Sequence, residues 1–419
     1  MTALHEPVPP AARRAPRSRR IAVISAHTSP LATLGGRETG GMNVYVRELS
    51  RELGSRGYTI DVFTRLASDA APEVQPFGPN ARVVHIAAGP NAPVEKEAIA
   101  GVLDEFEAGV RAFVTREGSA YDVVHSHYWM SGVVASRLAA DWGVPHVAMF
   151  HTLGEVKNRA HAGEHEPAGR IAAERAIAAA ADRIVVASQH ERHLLMSLYG
   201  ARGDAISVVP CGVDLDLFAP MDKEFARRRL GIGASQRIIL FVGRIEPLKG
   251  IDILISAAAQ LHDDENFAVL IVGGDARARA QIDELRRHAA ALGIDHHISF
   301  IGAVPHETLP LYYNAADVCV VPSYYESFGL VAVESMACGT PVIASRVGGL
   351  TSTVSDGETG YLVPWRCPEP FAERLELLLE NDELRASFGR AGREAVERFR
   401  WANVADAVAA LYEELLPVR

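Results

Sequence analysis

The feature that most limits what this chain can fold into is a strand–helix alternation that runs, stops and starts again. Short apolar runs at Ile21–Ala26, Thr59–Phe63, Val83–Ile86, Asp122–Ser126, His146–Phe150 and Arg183–Ala187 are separated by segments of helical spacing. Met42, Tyr45, Val46, Leu49 and Leu53 form one such stripe, and Gly57 suits its end. Strands of this kind, each followed by a helix, predict a parallel sheet covered on both faces. Val208–Val213 then leads through a linker to Pro220, and the pattern restarts at Ile238–Val242, Ala268–Val272, Ile298–Ile301, Val318–Val321 and Pro341–Ala344. The expected fold class is α/β, with two doubly wound Rossmann-like domains facing a cleft. Their expected bounds are 21–212 and 213–399, after a disordered basic tail over 1–20. A last helix over Trp401–Leu415, striped with Val404, Val408, Leu411 and Leu415, would belong with the first domain as part of 400–419.

Composition narrows the function classes. With 419 residues, 48% apolar and 22% charged, the chain reads as a soluble globular protein of two or three domains. A net charge of −10 argues against an extended nucleic-acid footprint, so any anion must meet a local cluster of bases. No apolar run approaches a membrane span, so no integral membrane association is expected. The start of the chain lacks the apolar core of a signal peptide. Four scattered cysteines without metal-type spacing point to a reducing, cytoplasmic setting and no disulfide framework. Only four of the 42 basic residues are lysine (Lys96, Lys157, Lys223 and Lys249), which marks them as places where a compact ammonium is wanted.

Ligands of open α/β sheets bind beyond the carboxyl ends of the strands, so residues just after strands are the first candidates. The Gly-rich loop Gly35-Gly36-Arg37-Glu38-Thr39-Gly40-Gly41 follows a strand and opens a helix, as a phosphate-binding turn would. Its spacing is not G-x-G-x-x-G, and the second strand ends in Thr64-Arg65 without a ribose-binding acid, which counts against a nicotinamide cofactor. Arg244 follows a strand and Lys249 is expected to begin the next helix. Two cations there could neutralise a departing diphosphate, or be no more than a solvated surface pair. His151 follows another strand, where it could bond a sugar hydroxyl or steady positive charge through its carbonyl. His125-Ser126-His127-Tyr128 reads as a cleft wall, since no carboxylate or thiolate completes a metal set. Glu326 and Glu334 are eight residues apart, the first before a helix and the second inside it. If the stretch between them is helical they lie roughly 12 Å apart, with the first helix amides facing an anion between them. That order suits a sugar nucleotide; the plainer reading is an amphipathic helix with a charged cap. Nothing resembles a nucleophile elbow, and Cys338 reads as packing.

Gly40-Gly41-Met42-Asn43-Val44-Tyr45, Val242-Gly243-Arg244 with Lys249-Gly250, and Glu326-Ser327-Phe328-Gly329-Leu330 with Glu334 together resemble the family 4 retaining glycosyltransferases of GT-B fold, over nearly the whole chain. The resemblance implies that Arg244 and Lys249 hold the donor diphosphate and that Glu334 binds the ribose. Glu326 and the amides of Phe328, Gly329 and Leu330 would hold sugar and diphosphate. Val304 would pair with the base through its backbone, Gly41 would lie against the diphosphate, and His151 would contact the donor sugar. It implies a UDP-sugar co-substrate, no required cofactor and no protein nucleophile. A structural magnesium near Tyr313, Asn314, Ala316 and Thr340 and a homodimer are left open. A closer resemblance is to those members that, in mycothiol synthesis, move N-acetylglucosamine to an inositol phosphate. It rests on His27-Thr28-Ser29-Pro30-Leu31, Ile86-Ala87-Ala88-Gly89-Pro90, His125-Ser126-His127-Tyr128-Trp129, and His151-Thr152-Leu153 with Lys157-Asn158. It implies an acceptor site of His27, Asn43, Lys96, Tyr128, Thr152 and Arg170. Thr33-Leu34 and Glu38 depart from the family pattern on the donor side, so N-acetylglucosamine and glucose both remain open. So do other acceptors (a sugar phosphate, a lipid, a natural product) and a catalytically silent sugar-nucleotide sensor.

Overall fold

The computed structural model describes residues 18–32, 40–160, 165–261, 266–274 and 278–417, with the side chains of Lys96 and Glu97 outside the description. Most of the expected tail and most of the Gly-rich loop, with Thr33-Leu34 and Glu38, therefore fall outside the described residues. The strands are β1 Arg20–Ile24, β2 Thr59–Arg65, β3 Val74–Gly78, β4 Ala81–Ile86, β5 Val123–His127, β6 His146–Met149, β7 Arg183–Val186 and β8 Ile206–Val208 in the first half. The second half holds β9 Arg237–Val242, β10 Phe267–Val272, β11 Ile298–Gly302, β12 Val318–Val321, β13 Val342–Ser345 and β14 Gly360–Val363. They form two sheets, ordered β3-β4-β2-β1-β5-β6-β7-β8 and β11-β10-β9-β12-β13-β14.

Every pairing is parallel except β3 with β4. In both sheets the chain order reverses beside the first strand of that half. β1 lies between β2 and β5, and β9 between β10 and β12, and such switch points open ligand crevices. The strands are mainly apolar, as two-sided burial favours, with Ile21, Val62, Val124 and Val147 fully buried in the first sheet and Ile239, Val269, Val320 and Ile343 in the second.

Three details differ from expectation. β1 begins at Arg20, inside the stretch read as tail, because its guanidinium meets Asp61 at 2.6 Å. β3 carries Pro76 and makes an antiparallel edge, the place a sheet tolerates proline. β14 was not expected; its four residues Gly360–Val363 begin with a glycine and make no longer apolar run.

The last helix, Trp401–Leu415, returns to the first half and packs on the helix Gly41–Ser55. Arg56 bonds Asp406 at 2.7 Å and the Ala402 carbonyl at 2.9 Å, and Tyr412 Oη lies 2.6 Å from His125 Nδ1. Gly212 is needed where the chain leaves the first sheet, because a Cβ there would come within 2.7 Å of the Trp401 ring. Val404, Val408 and Leu411 are buried along this helix. Among the described residues no helix is long and apolar enough to cross a membrane.

Candidate active site

The second half supplies one wall. After β9 the chain turns through Gly243-Arg244 into a tight turn at Pro247–Lys249, and the following helix starts only at Ile251. Lys249 therefore closes a turn rather than beginning a helix. Gly250, at φ +65°, is placed there because a Cβ would strike the Pro322 carbonyl. Lys249 Nζ pairs with Glu326 Oε2 at 2.6 Å, and Arg244 Nη2 with Glu246 Oε1 at 3.0 Å.

The segment from Glu326 to Gly329 is not helical; the helix is Leu330–Ala337, entered through Gly329 at φ +92°. The spacing worked for a continuous helix thus does not apply, although Glu334 is inside the helix as expected. Its first internal bonds run from Ala332 and Val333 to the Gly329 carbonyl, so the amides before them point out of the helix end. Glu334 is buried, accepting from Tyr313 Oη at 2.8 Å with His306 Nε2 at 3.2 Å. Burial opposes a charge on His306, but the Glu334 carboxylate outweighs it and raises the imidazole pKa above its usual value. Val304 lies in the loop after β11, partly buried.

The two halves meet at their helix starts. A Cβ on Gly41, which opens the helix Gly41–Ser55, would lie 2.8 Å from Leu330 Cδ1, and one on Gly40 would lie 4.0 Å from Arg244 Nε. Two helix N-termini, Arg244 and Lys249 thus converge on one space, an arrangement that favours a polyanion. Asn43 turns inward instead: its amide bonds Thr28 Oγ1 at 2.7 Å and the Ser29 carbonyl at 2.8 Å, and its oxygen caps the Gly40 amide at 2.9 Å.

On the first half, four of the expected acceptor residues come together from separate elements. Arg170 Nη2 donates to the Thr152 carbonyl at 3.0 Å and Oγ1 at 3.1 Å, and its guanidinium lies 4.9 Å from the centre of the Tyr128 ring. His27 packs on the same ring at 4.6 Å. Lys96 opens the short helix Lys96–Ile99, its side chain being outside the description. Arg170 is already balanced, by Glu174 at 2.7 Å and Glu166 at 2.8 Å, and Glu166 also pairs with Lys157. Burial works against ionised Glu166, but Arg170 and Lys157 hold its carboxyl below the usual range.

His125 lies inside β5, within the expected strand, and His127 is the last residue of β5, one residue beyond the expected end at Ser126. His127 Nδ1 lies 2.9 Å from His151 Nε2, and Tyr45 packs edge-on against both rings. Burial pushes His151 and His125 down to about 3 and His127 well down, so the cluster is neutral at physiological pH. His151, at φ +61°, turns its carbonyl to accept from Ser327 Oγ of the other half at 2.7 Å. Of the residues considered for magnesium, the Tyr313 carbonyl accepts from Thr340 Oγ1 at 2.7 Å, Asn314 Oδ1 accepts the Met221 amide at 2.8 Å, and Ala316 is buried. Among the described residues no group of three or more His, Cys, Asp or Glu could hold a metal ion.

Known proteins match the chain across both halves. The family described as Glycosyltransferase Family 4 matches residues 39–217, and Glycosyl transferases group 1 matches residues 222–395. The chain belongs to these glycosyltransferases. The enzyme is 44% identical over 410 residues to a D-inositol 3-phosphate glycosyltransferase of Acidothermus cellulolyticus, covering 96% of this chain and 91% of that one. It is also 44% identical over 402 residues to that of Mycolicibacterium smegmatis, covering 95% and 92%. Among solved structures, a sucrose-phosphate synthase from Thermosynechococcus elongatus superposes with a TM-score of 0.88 at 36% identity, over 95% of this chain and 99% of that one. Anabaena HepE, solved with UDP and glucose, superposes at 0.76 with 20% identity, over 95% and 100%, and shows the shared GT-B fold.

The candidate site also borders on residues that sequence reasoning passed over. Gly348 and Gly349 run under the Glu326 loop: the Gly349 amide bonds the Glu326 carbonyl at 2.8 Å, and a Cβ on Gly349 would lie 2.6 Å from Phe328 Cα. The signal was available, as a Gly pair shortly after an apolar run. His306 and Tyr313, which hold Glu334, had no comparable signal.

Proposed function

We propose that the enzyme transfers a hexosyl group, N-acetylglucosamine or glucose, from a UDP-sugar to D-inositol 3-phosphate with retention of configuration. Full-length similarity at 44% to relatives bearing that name carries the acceptor assignment. The convergence of Arg170, Thr152 and Tyr128 supports it with a cation and two hydroxyls, a set suited to phosphate. Arg244, Lys249 and the facing helix starts bind the donor diphosphate. Glu334 takes the ribose hydroxyls, Val304 the base, and Glu326 the sugar. His27 and Asn43 border the acceptor ring, Asn43 by fixing the loop at Thr28 and Ser29. The 21–212 unit with the last helix carries the acceptor and 213–399 the donor. The setting is the cytoplasm.

In the proposed step the bond from the anomeric carbon to the diphosphate oxygen breaks. A bond from that carbon to an acceptor hydroxyl forms on the same face, and the hydroxyl proton passes to the departing phosphate oxygen. The side chains position reactants and stabilise leaving charge. A neutral His151 fits a hydrogen-bonding partner of the sugar and not a proton carrier. Likeness to a sucrose-phosphate synthase at 36% identity favours a second reading, a sugar phosphate acceptor at the same phosphate pocket.

One matrix separates the readings: UDP-N-acetylglucosamine, UDP-glucose and GDP-mannose against D-inositol 3-phosphate, fructose 6-phosphate and buffer, following UDP or GDP release and the product anomer by NMR. An α-linked inositol product is expected. Turnover with fructose 6-phosphate alone overturns the first reading, and binding without nucleotide release leaves a sensor.

A further inference from the structure

Segment 151–160, which carries Thr152, Lys157 and Asn158, is gripped at both ends by the opposite half of the enzyme. At its start, Ser327 Oγ donates to the His151 carbonyl at 2.7 Å. At its end, Arg366 Nη2 donates to the Ala160 carbonyl at 2.6 Å, across 206 residues of sequence. Ala160 is the residue that ends the helix Gly154–Arg159, so the guanidinium meets the negative end of that helix.

Arg366 is held for this contact. It is one of the few non-glycine residues with positive φ, at +61°, a conformation that persists only where the surroundings impose it. Its guanidinium lies 4.7 Å from the centre of the Tyr324 ring and 4.4 Å from that of Trp365. Tyr324 is tied in turn to the Lys249 turn: its amide bonds the Leu248 carbonyl at 2.8 Å, and its hydroxyl bonds Asp252 at 2.8 Å. Glu326 follows two residues later.

The helix that Arg366 caps bears on the acceptor pocket. Asn158 Oδ1 accepts the Glu166 amide at 2.7 Å and Lys157 pairs with the Glu166 carboxylate, whose other oxygen meets Arg170 Nη1 at 2.8 Å. A continuous set of contacts therefore runs from the Lys249–Glu326 pair through Tyr324, Arg366, the Ala160 carbonyl, Lys157–Asn158 and Glu166 to Arg170.

We propose that Arg366 is a positioning residue that, with Ser327, fixes the 151–160 segment against the donor half and so sets Arg170 and Thr152 for the acceptor phosphate. The proposal rests on the acceptor reading above, and it assigns to the donor half a part in building the acceptor site.

Two measurements on the full-length enzyme test it. In the first, Arg366→Ala raises the acceptor KM at least fivefold while the Kd for UDP stays within twofold, and Arg366→Lys, which keeps a donor but not the stacked plane, falls between. An acceptor KM within twofold of wild type, or a UDP Kd that moves as much as the acceptor KM, overturns the proposal. The second needs no acceptor: hydrogen exchange in the substrate-free enzyme should be at least threefold faster over 153–160 in Arg366→Ala, and unchanged over 330–337. Unchanged exchange over 153–160 also overturns the clasp. If wild-type enzyme turns over no phosphorylated acceptor but the exchange difference appears, the acceptor reading has failed and the clasp stands.

Discussion

Gly349→Ala isolates the link between backbone geometry and the donor site. The residue has φ −69° and ψ −18°, which alanine adopts freely, so the substitution introduces no backbone strain. Its main penalty is space. The new Cβ would lie 2.6 Å from Phe328 Cα and from the Ser327 carbonyl carbon, and closer still to the Ser327 oxygen. Carbon atoms settle at about 3.5 Å or more, so the Glu326–Phe328 loop must retreat by about 1 Å. A displacement of that size costs about a hundredfold in rate, near 2.7 kcal/mol, while overpacking costs about 1–3 kcal/mol of stability. The assay is kcat/KM for the donor by UDP release, with UDP affinity by calorimetry and the unfolding midpoint as a check. Gly233→Ala, whose Cβ would meet only Gln236 Cβ at 4.0 Å, serves as the control and should change neither quantity. A folded Gly349→Ala enzyme that keeps a third of wild-type kcat/KM would refute the claim that this glycine sets the Glu326 loop.

Removing the guanidinium in Arg244→Ala should lower kcat/KM about a hundredfold or more, as loss of one charge-stabilising donor does; a drop under tenfold means that it does not meet the leaving diphosphate. Lys96→Ala and Arg170→Lys should each raise the acceptor KM about tenfold with the UDP Kd unchanged. Arg170→Ala is the poorer probe, since it strands fully buried Glu174, at a cost of about 3–5 kcal/mol. The raised pKa of His306 means that its protonated form adds stability below the unfolded value of about 6.5, and that this is lost as pH rises through the folded value. Glu334→Gln removes the carboxylate responsible and leaves burial, so NMR titration should find the His306 pKa falling below its wild-type value; an unchanged titration means that Glu334 is not the cause.

The sheets were legible because burial on both faces leaves unbroken apolar runs such as Ile238–Val242, which nothing else in a polar chain imitates. β3 escaped because its residues are half exposed and include Pro76, so neither apolar continuity nor alternation marks it. Arg244, Lys249, Glu326 and Glu334 were legible as strand-end residues of unusual type, but their pairing was not. That Lys249 faces Glu326 depends on a turn whose shape is dictated by the Pro322 carbonyl, a contact 72 residues from Gly250. The end of β5 was set one residue short, before His127, because a β-strand that ends in polar residues looks like a strand that has already ended. Asn43 looked like a ligand residue by resemblance, while its bonds to Thr28, Ser29 and Gly40 are those of a helix cap, which sequence alone could not separate.

The charges around the cleft place a condition on how ligands are bound. Arg244 pairs with Glu246, Lys249 with Glu326, and Arg170 with Glu166 and Glu174. These cations are thus not waiting unpartnered for phosphate, and a bare cluster of like charge would destabilise the empty enzyme. A diphosphate reaching Lys249 must share it with Glu326 or displace it. The displaced carboxylate is the group expected to meet the sugar hydroxyls, so a donor that offers both charge and hydroxyls satisfies both partners of the broken pair, whereas UDP alone satisfies only one. Inorganic pyrophosphate should therefore bind much more weakly than its charge suggests, and the sugar should add affinity through Glu326. Measured as the Kd ratio of UDP to UDP-sugar, that gain should vanish in Glu326→Gln, where a neutral amide has no ion pair to lose. A gain undiminished in Glu326→Gln would show that the pair seen between Lys249 and Glu326 has no part in recognition of the sugar.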